Sequence, residues 1–355
     1  MKKKTKRILC MAMAIVAAMS LAACGGGTAS TGTGSKPGSA ATNTSNETYD
    51  FNIGISTSEG SVNYVLASTA AELMKEKSGG AINATVYTDS ALGKDAEMIE
   101  GVKAGNIDFV VLVVSSFVNY VPEAAVFDLP NLFPNLETAR AALDSDAVMS
   151  SMQEAFKKAN LHLFAFADAG FREMSTSIPV HSVADFAGQK IRVMDNKNHI
   201  AYWQALGANP TPMDFSEVFI GLQQKSIDAQ ENPYDLIVSQ KFYEVQKAVV
   251  ETNHLLHNLI MVMNDEKFSS MPADLQKIVE ESLREAHEIT RQTADERIDG
   301  YKKTITDAGV AIIEIDDAMR AEMLNKVSGV YDSIRDQIGS ELVDTFVNAV
   351  TENSK

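Results

Sequence analysis

Cysteine is almost missing from this chain. Of 355 residues only two are cysteines, Cys10 and Cys24, both within the first 24 positions. From Gly25 onward there is no thiol to close a disulfide, ligate a metal or attack a substrate, so the fold must be held by its core alone. Positive charge is also scarce. Lys and Arg number 31 against 47 Asp and Glu, a net −16. That balance argues against a nucleic-acid binder or a basic membrane-surface protein. Any anion the protein binds must be drawn by a local site, against the overall field. Signatures of catalysis are absent as well: there is no G-x-x-x-x-G-K-[ST], no G-x-S-x-G, no G-x-G-x-x-G after a strand and no H-E-x-x-H. The one close histidine pair, His254 and His257 in "HLLH", lies in a strand-and-turn pattern. Their spacing then puts them on opposite faces, which disfavours a shared metal. No cofactor and no metal ion is expected.

The N-terminus has the form of an export signal. A basic "MKKKTKR" precedes the sixteen-residue apolar run "ILCMAMAIVAAMSLAA", short for a membrane span and of ordinary length for a secretory signal. It ends in "LAAC", which resembles the bacterial lipobox, with cleavage expected before Cys24 and a lipid on its thiol. Gly25 to Thr48 is a Gly/Ser/Thr/Asn/Ala tether whose composition cannot bury a core. As a flexible coil it spans roughly 25–30 Å. Loss of Lys2, Lys3, Lys4, Lys6 and Arg7 with the signal leaves 26 Lys and Arg against 47 acids, a net −21.

From Tyr49 the pattern alternates between strand and helix. "YDFNIGIS", "AINATVY" and the apolar run "IDFVVLVVSS" read as strands, separated by helices in "TSEGSVNYVLASTAAELMKEKSGG", ended by Gly79-Gly80, and in "KDAEMIEGVKAG", with Gly105 at its C-terminal end. The run "IDFVVLVVSS" has the look of a parallel strand buried on both faces. Further on, "LETARAALDSDAVMSSMQEAFKKAN" reads as one helix and "LHLFAFAD" as one strand. "QKIRVM" and "SIDAQEN" are strands, "HIAYWQALGA" is a helix, and "SEVFIGLQQ" is a helix capped by Ser216. The alternation predicts an α/β fold with mostly parallel sheets. A helix over about 272–308 opens at Pro272 and ends before Gly309. At 1.5 Å per residue it runs about 55 Å, more than one domain's width. Gly300 is a candidate bend within it.

Three polar side chains fall at strand ends: Arg172 after "LHLFAFAD", Arg192 in "KIRVM" and Asn232 in "DAQENP". In open α/β sheets, ligands bind beyond the carboxyl ends of strands. Two guanidinium forks and an amide together suit a carboxylate. Alternation with Ile191 and Val193 leaves a second reading of Arg192 open, as the polar side of an edge strand.

The stretches "KEKSGG", "ALGKDAEMIEGVKAGNIDFV", "VPEAAVFDLPNLF", "DAGFREMSTS", "KIRVM", "ALGANPTPMDFSEVF", "IDAQENP" and "KFYEVQK" occur in order from Asn52 to about Asn264. Together they resemble the solute-binding proteins of tripartite ATP-independent periplasmic (TRAP) transporters, DctP type. The resemblance implies a two-lobed periplasmic-binding-protein fold with a long helix spanning both lobes. One lobe would take 49–169 plus about 258–297, the other 170–257 plus about 298–351. It implies that Arg192 pairs with the substrate carboxylate, that Arg172 adds a second cationic contact, that Asn232 touches the ligand and that Phe215 packs on it. It makes Asp195 a further contact and Glu59 a selectivity position. Asp168 and Tyr234 flank the expected cleft, and Ser115 ends the apolar strand with a hydroxyl to offer. The partners it implies are a small organic acid and the TRAP integral-membrane subunits, besides the membrane lipid that Cys24 would carry. A sugar acid is the leading substrate and a C4-dicarboxylate the runner-up. An extracytoplasmic enzyme on the same scaffold, or a lipoprotein serving another importer, are the alternatives to a TRAP receptor.

Overall fold

The computed structural model describes residues 48–354. The export signal, Cys24 and nearly all of the tether lie outside them. The first lobe is built as the periodicity predicts, with strand β1 (Tyr49–Gly54), helix α1 (Val62–Lys77), β2 (Ile82–Tyr87), α2 (Asp95–Lys103) and β3 (Phe109–Val113). Ser61 caps α1 by accepting from the Tyr64 N–H. Two glycines follow that helix with φ of +62° and +87°, a backbone that L side chains resist. Helices α3 (Leu136–Leu143) and α4 (Asp146–Lys158) follow, then β4 (Leu161–Leu163) and β5 (Ala167–Phe171). The single helix expected here is two, because Ser145 leaves the helical path and its side chain accepts from the Val148 N–H to start a new one. The expected strand "LHLFAFAD" is likewise broken between β4 and β5.

The second lobe holds β6 (Glu173–Thr176), β7 (Lys190–Val193), α5 (Lys197–Ala205), β8 (Asn209–Pro212), α6 (Val218–Gln223), β9 (Ala229–Asn232), α7 (Tyr234–Ser239) and β10 (Ala248–Glu251). Ser216 does not cap α6. It sits inside a single 3-10 turn, Phe215–Glu217, that leads into the helix. The chain then returns through β11 (Leu256–Asn264), α8 (Asp265–Ser270), α9 (Ala273–Asp307), β12 (Ala311–Glu314), α10 (Asp317–Ile338) and α11 (Ser340–Asn353).

Two sheets result. One runs β2-β1-β3-β11-β4 with β5 also on β11, and the other runs β12-β10-β6-β9-β7-β8. β3 is buried at every position, but only one neighbour, β1, is parallel; β11 lies antiparallel on its other side. Its apolar run reflects cover on both faces rather than strand direction. The chain passes from the first sheet to the second at Arg172 and back over 252–255. Helix α9 makes the third crossing, unbroken through Gly300. Its N-terminal half buries Val279, Leu283 and Ala286 beneath the first sheet, and its C-terminal half gives Ile305 to a core with Phe242 and Val249.

Candidate functional site

The stretch "GQKIRVM" places a cation where few proteins keep one. Gly188 turns the chain with φ +77° into β7. Ile191 and Val193 enter the core, and alternation turns Arg192 to the other face. That face is not solvent. β7 is an interior strand, between β8 and β9, and Arg192 is only 3% exposed, which removes the edge-strand reading. Its Nε donates to the Met213 carbonyl at 2.9 Å, and its guanidinium lies 5.7 Å from the centre of the Phe215 ring. Burial pushes its pKa down to about 10, partly offset by the Glu231 carboxylate and reinforced by the Arg172 charge, so it remains a cation at neutral pH. Among the described residues three arginines are buried, namely Arg172, Arg192 and Arg291. Arg172 is paired with Glu231 and Arg291 with Asp144. Among the described residues no carboxylate lies within ion-pairing distance of Arg192.

Arg192 lines two joined chambers between the lobes. The outer has a volume of about 550 Å³ and is walled by Lys94, Ser116 and Tyr120 from one lobe and by Asp195, Asp214 and Glu217 from the other. The inner measures about 20 Å³ and is reached by Asn63, Asn232 and His257, little more than one water requires. Asp95, Arg192, Met194 and Phe215 belong to both. Asp95 is the first residue of α2. Burial raises its carboxyl pKa, opposed by the Ser56 hydroxyl and the Arg192 charge. Three buried polar atoms of the inner wall have no hydrogen-bond partner among the described residues: Asn63 Oδ1, Asp95 Oδ1 and His257 Nε2. Contacts cross the mouth as well. Lys94 pairs with Asp214, and Asn119 Nδ2 donates to the Asp195 carbonyl at 3.0 Å.

Of the residues singled out from sequence, Arg192, Phe215, Asn232 and Asp195 meet at these chambers. Asn232 is buried, its Nδ2 held by Gln230 Oε1 at 2.6 Å. The other five point elsewhere, each for a visible reason. Arg172 gives its guanidinium to Glu231 and His257 at the crossing between the sheets and lines neither chamber. Asp168 is clamped by Arg140 at 2.7 and 2.9 Å. Tyr234 donates its hydroxyl to Glu251 at 2.9 Å and is buried. Ser115 donates to Asp128 at 2.6 Å, while its neighbour Ser116 is the serine at the outer chamber. Glu59 stands exposed in its turn, with Ser56 and Thr57 of the same turn at the inner wall instead. Asp95 was legible in principle, since it opens a helix after a strand end. His257 had no such signal, because its place depends on β11 returning to the first sheet.

Behind the inner chamber lies a buried ionic cluster. Glu231 on β9 meets Arg172 at 2.5 Å, His254 at 3.0 Å and His199 at 3.4 Å, and His199 also meets Asp128 at 3.1 Å. Burial alone would raise the Glu231 pKa; Arg172 and the two imidazoles instead hold it well below the usual carboxylate range. Burial alone would lower His199, but Asp128 and Glu231 outweigh it and bring its pKa up to about 9. Among the described residues, no group of three or more His, Cys, Asp and Glu is placed to hold a metal ion. No helix among them is long and apolar enough to cross a membrane.

Two α/β lobes joined by two strand crossings and a shared helix, with a buried cation at the cleft between them, define a periplasmic-binding-protein fold. The chain belongs to the bacterial extracellular solute-binding proteins of family 7, DctP, whose model matches residues 53–337. It is 31% identical over 306 residues to the 2,3-diketo-L-gulonate-binding periplasmic protein YiaO of Escherichia coli K12, covering 85% of this chain and 88% of that one. It is 30% identical over 277 residues to the C4-dicarboxylate-binding periplasmic protein DctP of Shewanella loihica, covering 78% and 82%. Among solved structures, the sugar acid binding protein DctPAm of Advenella mimigardefordensis in complex with galactonate superposes with a TM-score of 0.83 at 25% identity. That match covers 86% of this chain and 99% of that one. A TRAP periplasmic solute-binding protein of Shewanella oneidensis with bound succinate gives 0.81 at 27%, covering 85% and 99%.

Proposed function

We propose that this protein is an extracytoplasmic receptor that takes an organic acid by its carboxylate on Arg192 and delivers it to the membrane subunits of a TRAP transporter. One observation carries the reading: Arg192 is a buried guanidinium to which no carboxylate among the described residues is paired. A charge removed from water without a counter-charge is costly. A ligand carboxylate accepting from its outer N–H groups supplies that counter-charge in a bidentate geometry. Asn232 and Phe215 frame the same wall, and closure of the lobes excludes water and strengthens the pairing. In isothermal titration, Arg192→Ala is expected to lose about 2–5 kcal/mol of binding energy, roughly thirtyfold or more in affinity at ~1.4 kcal/mol per decade. Equal affinity in the variant would refute the assignment.

The rest of the cleft favours an acid that carries hydroxyls. Asp95, Asp195, Asp214 and Glu217 line the outer chamber, where Lys94 pairs with Asp214 and Glu217. They accept from hydroxyls and repel a second carboxylate. A sugar acid of the uronate kind is therefore the leading substrate, in keeping with the galactonate complex of the Advenella relative. A C4-dicarboxylate is the second reading, favoured by the succinate complex. The same reading makes Cys24 a lipidated anchor and gives the protein no turnover of its own. Mass spectrometry of the exported chain and incubation with candidate acids test those two points.

A further inference from the structure

We infer that His257 is a specificity-determining ligand residue, donating its Nε2–H to an oxygen of the bound acid, and that Arg172 acts on the ligand only by fixing that proton. The inference rests on the receptor reading above. His257 is the second residue of β11, just after the chain returns to the first sheet, and is buried. Its Nδ1 faces Arg172 Nη1 within hydrogen-bonding distance. A guanidinium has donors and no acceptor, so Nδ1 must accept and the single imidazole proton must sit on Nε2. A second proton is opposed first by burial and then by the Arg172 charge, which together hold His257 neutral.

Arg172 is itself held so that it has no alternative role. Its Nε and Nη2 engage both Glu231 carboxylate oxygens, and Nη2 also reaches the Glu231 carbonyl. It stands at the strand crossing, fastened to the other crossing through its N–H to the Leu255 carbonyl at 2.8 Å. His257 lines the inner chamber beside Arg192 and Asn232, and its Nε2 is buried without a partner among the described residues. A buried donor with nothing to donate to carries its full desolvation penalty, and a ligand oxygen removes it. Asp95 Oδ1 and Asn63 Oδ1 on the same wall are unpartnered acceptors. One fixed donor between acceptors suits a hydroxyl, which offers one O–H and two lone pairs.

The test uses the full chain with D-galactonate and succinate as probes, by isothermal titration, and long-range ¹⁵N–¹H spectra of the imidazoles. His257 should appear as the neutral Nε2–H tautomer from pH 6 to pH 8, and its Nε2 proton should shift when the tighter-binding acid is added. Arg172→Met, which removes the donor facing Nδ1, should disturb that tautomer signature, as loss of a merely structural arginine would not. His257→Leu should weaken binding about tenfold or more. His257→Gln, whose amide can accept from Arg172 and donate to the ligand, should restore most of it. A His257 found as Nδ1–H or as imidazolium at pH 7 would overturn the inference, as would a proton unmoved by ligand, even if His257→Leu failed to fold. Wild-type binding that needs Arg192 but is unchanged in His257→Leu would overturn it alone. Failure of every acid to bind the wild type would overturn the receptor reading and this inference with it.

Discussion

Glu173 and His199 show how burial writes a pH dependence into single residues. Burial, with Glu251 adding to it and the Asn253 N–H opposing, pushes the Glu173 pKa up to about 8. A carboxyl whose folded pKa exceeds its unfolded one binds its proton more tightly when folded, so stability falls as pH rises from about 4.5 to about 8. Glu173→Gln keeps the acceptor for Asn253 and cannot ionise. In urea melts its stability relative to wild type should improve steadily across that window and level off above it. A constant gap would refute the reversed titration. His199 adds to the alkaline decline: with its pKa raised to about 9, its contribution is complete below about 6.5 and is lost through about 9. His257 and His254, both lowered by burial, withdraw stability on the other side as pH falls below about 6.5.

At the level of elements, one carboxyl joins three helices. Asp235 on α7 accepts from the N–H of Val62, the first residue of α1, and from the hydroxyl of Tyr301 on α9. The Val62 N–H is one that a helix start cannot satisfy internally. Asp235→Ala should therefore cost about 1–3 kcal/mol, while Asp235→Asn, which can still accept there, should cost less; chemical denaturation of the pair decides. Helix α9 carries more. Leu283 is wholly buried beneath the first sheet while Ile305 of the same helix lies in the second lobe's core. Leu283→Ala should cost about 2–5 kcal/mol, and because α9 serves both cores the loss should appear in a single transition rather than in one lobe alone.

For the molecule as a whole the mouth of the cleft matters. Lys94 on one side faces Asp214 and Glu217 on the other, all exposed. Exposed pairs add little to folding and are screened by salt, but this one exists only when the lobes are together. Lys94→Ala should leave the denaturation midpoint in place, weaken ligand binding a few-fold by depleting the closed state, and abolish part of the salt dependence of affinity. An affinity and salt slope equal to wild type would show that the pair does not hold the cleft shut.

Much of this architecture is set by local chemistry. The β-α alternation, the two glycines after α1 and the bounds of α9 near Pro272 and Gly309 depend on neighbours within a turn or two. For that reason they were legible from residue order, as was the strand that carries Arg192. The choice between two arginines of equal promise was not. Arg172 is withdrawn from the cleft by Glu231 and His257, 59 and 85 positions away, and Arg192 stays available because no carboxylate among the described residues folds onto it. The same holds for Ser115 and Ser116, separated by whether Asp128 reaches the hydroxyl, and for His257, whose proton is assigned by Arg172 across the crossing. Sequence by itself determined which side chains stand at strand ends. Only tertiary structure decided which of them are already satisfied, because a buried polar group is spent or free according to partners that residue order does not bring near.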